Sequence, residues 1–432
     1  MRTIKKGFRA LIFVSITLFL ISCGHDLNDV IVVGGPTSKV TTELNVNSFT
    51  KYQLIRGFGG INHPVWRPDM NNNAREKVFG TNAGQLGFSI LRVHVDPDVN
   101  RWNAELPTAQ YAISKGAIIF ASPWDATPAL LDPNNTAKDR ILPENYGAYV
   151  NHLNEFNNYM ENNGAPLYAI SVQNEPDIGE WTQWTPDEML KFMKENAQDI
   201  ENKVIAPESF QFRKNYSDPI LNDPVAVDNI DIVGGHIYGG GLSNYPLALQ
   251  KDKEVWMTEY LMNLDATSSW SQLEEKVIWD ESMEMLSTVH QAMMNNWNAY
   301  LWWYIQRYYS FIGDGEQGTV KDEILKRGYA FSHFSRFVRP GYMRVSIELK
   351  NSKGLVATAY TGANKTVIVI INPNATEVKG IGAMVVNEVP ETANLYLTSL
   401  SKNVEETVLK KLDENLLFEM PAKSVATLVI QN

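Results

Sequence analysis

The 432-residue sequence predicts an α/β protein, a (β/α)8 TIM barrel with an attached antiparallel β-sandwich side domain built from both termini. Three observations predict this fold. Eight strand-like segments alternate with helical segments over roughly 280 residues, which is the size and rhythm of such a barrel. After residue 340, short strands follow one another without helices, as in a sandwich. Residues 40–49 alternate apolar and polar side chains ahead of the barrel, so this strand is expected to pair with the C-terminal domain.

Taken in order, the first barrel segment is residues 56–60, which is too glycine-rich for a helix interior. The other barrel strands are predicted at residues 89–95, 117–124, 168–173, 203–207, 231–237, 254–258 and 298–304. Helices are predicted at residues 106–115, between residue 146 and the stop at Gly164, after the capping box Thr185-Pro-Asp-Glu188, and at about 271–294. The sandwich strands are predicted at residues 355–360, 365–371, 394–400 and 425–430. A doubly wound sheet is the alternative, but Gly57-Phe-Gly-Gly60 lacks the spacing of a phosphate-binding loop.

The N-terminus predicts export. Four basic side chains lie in residues 1–9, and the apolar run 10–21 is too short for a comfortable membrane span. Cys23 follows Leu20-Ile21-Ser22, as at a bacterial lipoprotein cleavage site, and it is the single cysteine, so no intramolecular disulfide forms. We expect an envelope lipoprotein anchored through Cys23; a plain secretory signal is the alternative. The predicted segments are a signal peptide 1–22, a tether 23–39, a side-domain strand 40–50, the barrel 51–340 and the sandwich 341–432.

Composition narrows the class of function. The net charge of −11 without a basic stripe argues against nucleic-acid binding. Eleven Trp, eighteen Tyr and seventeen Phe suggest surfaces that stack on sugar rings. No Gly-x-Ser-x-Gly elbow of a serine hydrolase is present. His63, His94 and His236 precede or follow strand ends without the close spacing of a metal site, so structural or sugar-contacting roles are favoured and no metal or cofactor is predicted.

Two carboxylates mark the predicted catalytic chemistry. Glu175 follows the fourth candidate strand, where Pro176 prevents the strand from continuing, and Glu259 follows the seventh. The carboxyl ends of barrel strands carry the active site, so the two side chains should face each other across the barrel mouth. Two carboxylates across a cleft suit glycoside hydrolysis, one as proton donor and the other as nucleophile or base. Asn-Glu-Pro alone would more often be a strand-ending turn.

Long ordered strings from residue 40 to the C-terminus resemble glycoside hydrolase family 30, most closely its bacterial glucuronoxylan-acting xylanases of subfamily 8. They are Arg56-GFGGINHPVW66, Gly84-QLGFSILRVHVD96, Ile118-IFASPW124, Tyr168-AISVQNEPD177, Val204-IAPESFQ211, Trp256-MTE259, Tyr300-LWWYIQR307 and Lys326-RGYAFSHFSRFVRPGY342.

The resemblance implies a retaining barrel enzyme in which Glu175 is the general acid/base and Glu259 the nucleophile. It implies that Asn174 hydrogen-bonds a sugar 2-hydroxyl and that Arg92 lies on the barrel floor near the nucleophile. Tyr238, in the string His236-Ile-Tyr238, matches a tyrosine that contacts the nucleophile. Trp124 and either Trp302 or Trp303 match aromatic walls of the sugar sites.

The resemblance also implies that Arg307 reads a glucuronate branch on xylan, with Trp303 and Tyr309 beside it; a guanidinium pairs with a carboxylate bidentately. The chain departs from the subfamily in the loop after Glu259. Leu261 and Leu264 stand where a tyrosine and a serine usually contact the same branch, and residues 310–325 form a longer loop than usual. Strict dependence on glucuronate is therefore in question.

Some assignments stay open on the residues alone. Arg92 on a buried strand needs an acidic partner, which is either Glu259 or a structural acid such as Asp96. Trp181 and Trp184 follow Glu175 and either stack on sugars or form a packed lid. Trp302 and Trp303 point to opposite faces of one strand, so one of them belongs to the core.

The predicted function is a retaining endo-β-1,4-xylanase that acts, as a monomer, on glucuronoxylan or another substituted xylan. Within the family, the alternative substrates are arabinoxylan, unbranched xylan, β-1,6-glucan or a glucosyl conjugate. Release of xylobiose is an alternative cleavage pattern. A non-catalytic glycan-binding lipoprotein on a degenerate barrel is the alternative from another class.

Overall fold

The computed structural model describes residues 39–134, 139–262, 275–386 and 391–431. The predicted signal peptide, Cys23 and all but the last residue of the predicted tether lie outside these ranges, as does Leu264. Export and acylation therefore stay predictions. Within the described ranges, every helix is too short or too polar to cross a bilayer.

The strands, numbered along the chain, are β1 (Thr42–Leu54), β2 (Gly57–Ile61), β3 (Ile90–His94), β4 (Ile118–Ser122), β5 (Ala169–Ser171), β6 (Lys203–Ser209), β7 (Ile232–His236), β8 (Glu254–Glu259), β9 (Ala299–Trp302), β10 (Met343–Lys350), β11 (Val356–Gly362), β12 (Lys365–Asn372), β13 (Val378–Val385), β14 (Thr392–Thr398), β15 (Glu405–Leu412), β16 (Asn415–Met420) and β17 (Ser424–Gln431). The helices are α1 (Asn72–Phe79), α2 (Leu106–Ser114), α3 (Tyr146–Asn162), α4 (Pro186–Glu195), α5 (Lys214–Asn222), α6 (Pro246–Gln250), α7 (Glu275–Met294) and α8 (Lys326–Ser335).

Strands β2 to β9 form the barrel. Each pairs in parallel with the next along the chain, and β9 pairs in parallel with β2, which closes the sheet. The eight predicted segments are these eight strands, so the barrel prediction is confirmed. β2 is glycine-rich because its neighbour is close: a Cβ on Gly59 would lie 1.8 Å from the carbonyl oxygen of Ile90 on β3.

The lower part of the barrel is filled by side chains from all its strands but β2. This cluster is apolar and fully buried, and its largest member is Trp256; the others are Ile90, Phe120, Ala169, Ile205, Ile232, Ala299 and Leu301. A filled barrel of this kind supports the strand ends from beneath, so polar side chains at those ends are held at defined positions.

The side domain is one closed sheet of nine strands, ordered β1-β10-β11-β12-β17-β14-β15-β16-β13. Its pairs are antiparallel except that β1 and β13 are parallel. The prediction that both termini build this domain is confirmed, because β1 pairs with β10 and β13. The domain rests on the barrel through α7 and α8; both ring nitrogens of His333, for example, lie 2.8 Å from threonine hydroxyls of the side domain.

Local signals predicted the elements with regular patterns and missed others. The capping box at Thr185 and Glu188 is present and begins α4. Strands β10, β13, β15 and β16 were not predicted. β15 reads Glu-Glu-Thr-Val-Leu-Lys-Lys-Leu and exposes most of its side chains, so it has little apolar alternation to detect.

Candidate active site

The two carboxylates predicted from the strand ends face each other in the barrel mouth. Glu175 follows β5, and Glu259 is the last residue of β8. One oxygen of each carboxylate and one ring nitrogen of His236 all lie within 4.8 Å of one another. Both glutamates are 7% exposed, so each meets solvent only through the mouth.

Glu259 accepts hydrogen bonds at both oxygens. Arg92 Nη1 donates to Oε2 at 2.5 Å, and the Tyr238 hydroxyl donates to Oε1 at 2.9 Å. Burial raises the pKa of Glu259 above its ordinary value, while the charges of His236 and Arg92 oppose that rise. An arrangement in which both oxygens accept and neither donates suits the ionised carboxylate.

Glu175 has a different environment. Burial acts to raise its pKa, but a hydrogen bond and the positive charge of His236 bring that pKa below its ordinary value. Its Oε1 lies 2.9 Å from His236 Nδ1, and Trp181 Nε1 donates to its Oε2 at 3.1 Å. Its backbone has a φ of 44°, a left-handed conformation that is uncommon for a non-glycine residue.

His236 is fully buried between three carboxylates. Its ring nitrogens lie 2.9 Å from Glu175, 3.9 Å from Glu259 and 3.9 Å from Glu208. Burial acts to lower its pKa, but these negative charges and hydrogen bonds prevail and raise the pKa to about 9. His236 therefore carries a proton at neutral pH, in direct contact with Glu175.

This protonated histidine predicts a pH dependence of stability. In the folded state the pKa of His236 is raised from 6.5 to about 9, so its contribution is complete below pH 6.5 and is lost as pH rises toward 9. That difference corresponds to roughly 3 kcal/mol of unfolding free energy. Urea unfolding from pH 6 to 9.5 should therefore show a decline in stability that His236→Asn reduces.

The matched control is His152→Asn, because burial lowers the pKa of His152 and its titration falls below this window. Equal declines in stability from pH 6.5 to 9 in the parent and in His236→Asn would contradict the assignment of a proton to His236.

Arg92 links residues at the ends of two barrel strands, β5 and β8. Its Nη2 donates to Asn174 Oδ1 at 2.6 Å while its Nη1 bonds Glu259. The acidic partner left open by the sequence is thus Glu259, together with Glu208 at 3.3 Å, and it is not Asp96. Asn174 Nδ2 is buried and has no acceptor within the described residues. Buried donors are normally satisfied, so a ligand hydroxyl is a natural acceptor for it.

Glu208 is a site residue that the sequence analysis did not identify. It is fully buried at the end of β6, where its Oε2 accepts from the Ser122 hydroxyl at 2.7 Å. Burial acts to raise its pKa, but Arg92 and His236 lower it to about 2. In the sequence, the position of Glu208 at the end of a predicted barrel strand was the signal that could have identified it. Glu208 adds a third carboxylate to the site, 3.3 Å from Arg92 and 3.9 Å from His236.

Aromatic rings surround the carboxylates. The Arg92 guanidinium carbon lies 4.6 Å from the centre of the Trp124 ring. The ring centres of Trp124 and Trp303 are 5.9 Å apart. Trp66, which the sequence analysis did not single out, is 40% exposed and stacks on Trp181 at 5.6 Å and on His63 at 3.9 Å. These rings form an aromatic wall open to solvent.

The open tryptophan assignments are decided by packing. Trp302 is buried in the main core, whereas Trp303 faces the aromatic wall. Trp184 is buried against Tyr146 and Phe192, so of the two tryptophans after Glu175 only Trp181 borders the carboxylates.

Arg307 lies after β9 and is paired with acids of its own loop. Its Nη1 contacts Asp314 Oδ2 at 2.6 Å and Glu316 Oε2 at 2.7 Å. Its Nε is buried without an acceptor among the described residues. Its guanidinium lies 5.7 Å from the centre of the Tyr309 ring.

Tyr304 feels charges from both sides of the site. Burial raises the pKa of Tyr304 to about 12, the charges of Arg67 and Arg307 act to lower it, and the charge of Glu259 acts to raise it. Arg307 also lines a cavity of about 80 Å³ with Arg67 and Lys321. Leu261, half-buried, packs against the aromatic cluster that includes Trp124 and Tyr309.

Glu175, His236 and Glu259 form the one group within the described ranges whose donor atoms are spaced closely enough for a metal ion. His63 and His94 stack on each other at 4.4 Å and belong to a different cluster. In the Glu175–His236–Glu259 group, Arg92 and protonated His236 already balance the two carboxylates. The donor chemistry therefore fits acid–base work between two carboxylates better than cation binding.

Comparison with known proteins gives consistent similarities. Glucuronoxylanase XynC of Bacillus subtilis (strain 168) is 43% identical over 425 residues, covering 95% of this chain and 97% of that protein. A GH30 endoxylanase from Clostridium papyrosolvens C71 superposes with a TM-score of 0.80 at 36% identity, covering 90% of this chain and 100% of the other. A glycoside hydrolase family 30 subfamily 8 xylanase from Clostridium acetobutylicum superposes with a TM-score of 0.79 at 30% identity, again covering 90% of this chain and 100% of the other. No protein-family model matches the chain.

Proposed function

This chain belongs to glycoside hydrolase family 30, and from that membership we propose that it is a retaining endo-β-1,4-xylanase acting on glucuronoxylan or another substituted xylan. The similar proteins that are named as xylanases support xylan as the substrate. The geometry of the site supports glycoside hydrolysis as the reaction. The observation that carries the proposal is the approach of Glu175 and Glu259, whose nearest oxygens lie within 4.8 Å.

The separation of the carboxylates distinguishes the two stereochemical outcomes. Retaining glycosidases place their carboxyl groups about 5–5.5 Å apart, whereas inverting enzymes need about 6.5–9.5 Å to admit a water molecule. The approach of Glu175 and Glu259, with one oxygen of each carboxylate within 4.8 Å of the other, favours the first class. It supports direct attack by Glu259 on the anomeric carbon.

In the first step, a carboxylate oxygen of Glu259 bonds to the anomeric carbon as the bond to the leaving oxygen breaks. Glu175 gives its proton to that leaving oxygen. In the second step, Glu175 removes a proton from water, the water oxygen bonds to the anomeric carbon, and Glu259 departs as a carboxylate. Arg92 and Tyr238 hold Glu259 throughout, and Asn174 Nδ2 is free to donate to a sugar hydroxyl.

The contact between His236 and Glu175 supplies the proton for the first step. In the free enzyme one proton lies along the 2.9 Å contact between Nδ1 and Oε1, and it rests on the imidazole. Movement of that proton to Oε1 creates the acid without any change in the charge of the site. His236 is thus a positioning and proton-holding residue for Glu175.

Glucuronate recognition is assigned to Arg307. Its buried Nε has donor capacity left, and the adjacent cavity is lined by the cations Arg67 and Lys321 together with the acids Asp69, Asp314 and Glu316. Asp314 and Glu316 already occupy Nη1, so a substrate carboxylate competes with them. We therefore expect a preference for glucuronate branches that is present but weak, with unbranched xylan also cleaved. Leu261 also favours a weak branch preference, since its side chain cannot donate a hydrogen bond to a glucuronate.

Arg307→Ala should lower kcat/KM for glucuronoxylan about tenfold, the low end of the range for a hydrogen bond to a charged group. The kcat/KM for linear xylo-oligosaccharides should not change. Mass spectrometry of the products should show branch positions that become less regular in the variant. Asp314→Asn with Glu316→Gln should do the reverse and sharpen the branch preference.

Lys77→Ala is the matched control, because Lys77 pairs with Glu323 of the same loop but does not line the cavity beside Arg307. Unchanged products from glucuronoxylan in Arg307→Ala would refute branch reading through this side chain. Absence of reducing sugar from every xylan with the parent enzyme would refute the proposed function itself.

A further inference from the structure

The first turn of α8 contacts two loops of the barrel mouth. One is the loop after β8, which begins at Tyr260, and the other is the loop after β9, which carries Arg307. Helices of a (β/α)8 barrel begin where such loops end, on the face that holds the active site. Arg327, the second residue of α8, is fully buried at this position.

One nitrogen of Arg327 joins the two loops. Its Nη1 donates to the carbonyl oxygen of Met262, in the loop after β8, at 2.9 Å, and also to the carbonyl oxygen of Tyr309, in the loop after β9. Its Nη2 donates to Oε2 of Glu281 on α7, which is buried as well, so the positive charge has a counter-charge. A buried pair of this kind holds its partners in place, because breaking it would leave an uncompensated charge.

Backbone contacts also hold the loop after β9 against α8. A Cβ at Gly328, the residue after Arg327, would lie 2.6 Å from the carbonyl oxygen of Phe311. The amide of Leu325, just before α8, donates to the same carbonyl at 2.8 Å. The helix therefore fixes this loop at two points, Tyr309 and Phe311, that are two residues apart.

The part of the loop that α8 fixes is the part that presents Arg307. The amide of Ser310 donates to the carbonyl of Arg307 at 3.0 Å, and the amide of Arg307 donates to the carbonyl of Ile312 at 3.0 Å. Residues 307–312 thus form one compact turn. A shift of the Tyr309 carbonyl away from Arg327 would move the Arg307 guanidinium with it.

The loop after β8 is tied to the same region. The amide of Trp303 donates to the carbonyl of Tyr260 at 2.8 Å, which joins the two loops where they begin. Leu261, the next residue, packs against the aromatic cluster that includes Trp303 and Tyr309. Arg327 closes this arrangement from below, so it sets the spacing between the Leu261 side and the Arg307 side of the site.

We propose that Arg327 is a positioning residue for branch recognition, which holds the loops after β8 and β9 at the spacing that presents Arg307 to a glucuronate branch of xylan. Glu281 is its counter-ion, and Gly328 permits the close approach of helix and loop. This role rests on the proposed function, since it concerns the same substrate. Arg327 acts through the loop backbone, so it affects binding of the branch more than cleavage of the glycosidic bond.

The test compares kcat/KM on glucuronoxylan with kcat/KM on linear xylo-oligosaccharides, and the ratio of the two is the readout. Arg327→Met/Glu281→Gln removes the ion pair as a unit, so no buried charge is left without its partner. The ratio should fall about tenfold, as for Arg307→Ala, with most of the change in the KM for glucuronoxylan.

Arg339→Gln is the matched control. It removes another buried guanidinium near α8, whose Nη1 donates to the backbone carbonyls of Ser335 and Gly87. Neither carbonyl belongs to the loops after β8 and β9, so this variant should keep the parental ratio. Thermal unfolding checks that each variant is folded.

A steric variant keeps the test decisive if the double variant does not fold. Gly328→Ala places a Cβ against the Phe311 carbonyl and displaces the same loop without changing any charge. The ratio should fall in this variant too. A parental ratio in the folded variants, or equal losses of kcat/KM on the two substrates, overturns the proposal.

A double-mutant cycle separates action through Arg307 from a general loss of structure. In the Arg307→Ala background, neither Arg327→Met/Glu281→Gln nor Gly328→Ala should lower the ratio further, because residues that act as a unit have non-additive effects. Additive losses overturn the proposal, and so does a fall in the ratio when Arg307→Ala itself has no effect. No cleavage of any xylan by the parent contradicts the proposed function instead.

Discussion

Glu259→Gln is expected to reduce kcat on xylan by a factor on the order of 10⁴ to 10⁶, as removal of a covalent nucleophile does elsewhere. Gln retains an oxygen that accepts from Arg92 or Tyr238, so the local hydrogen bonds and the fold should persist. The amide, however, cannot form the glycosyl ester. The measurement is release of reducing sugar, with thermal unfolding as the check on folding.

Covalent labelling makes this prediction specific. A 2-fluoro xylobioside with a good leaving group should add one 2-fluoroxylobiosyl group to the parent enzyme, on the peptide that contains Glu259, and none to the variant. Glu254→Gln, at the other end of β8 where Glu254 pairs with Arg56, is the control and should stay active. Label on another carboxylate, or substantial turnover by Glu259→Gln, would refute the assignment.

Glu175→Gln is expected to reduce kcat on xylan by about 10²- to 10⁴-fold, the usual worth of general acid–base catalysis. The loss should depend on the leaving group. A dinitrophenyl xylobioside needs no protonation on departure, so its first step should be nearly normal and the glycosyl-enzyme should accumulate as a burst. Azide, which needs no general base, should restore turnover and yield the β-glycosyl azide.

The anomeric configuration of the azide product tests both the two-step mechanism and the role of Glu175. An α-azide would indicate single displacement and contradict the two-step reaction. Glu180→Gln changes an exposed carboxylate in the same loop and should behave like the parent. Should Glu175→Gln lose the same factor on dinitrophenyl xylobioside and on xylan, with no response to azide, Glu175 would not be the acid/base.

Much of the fold followed from local patterns. Most of the barrel strands were predicted from short runs rich in apolar residues, as expected of strands buried on both faces. The segment of β2 was counted as a strand because it is too glycine-rich for a helix interior. The side-domain strands with regular apolar content, such as β12 and β17, were also predicted. β13 contains two glycines and β15 is largely charged, so their pairing depends on neighbours distant in sequence.

The sequence by itself determined that the two carboxylates lie at the carboxyl ends of barrel strands, because each follows a short buried strand. It also determined that Arg92 needed an acid and that Arg307 followed the last strand. Only the tertiary structure decided the partners. Glu208 joins Arg92 across 116 positions of sequence, His236 reaches Glu175 from another strand, and Asp314 and Glu316 reach Arg307 through the path of their loop. Strand ends follow from short-range periodicity, whereas charge pairing is set by distances between elements that only the closed barrel brings together.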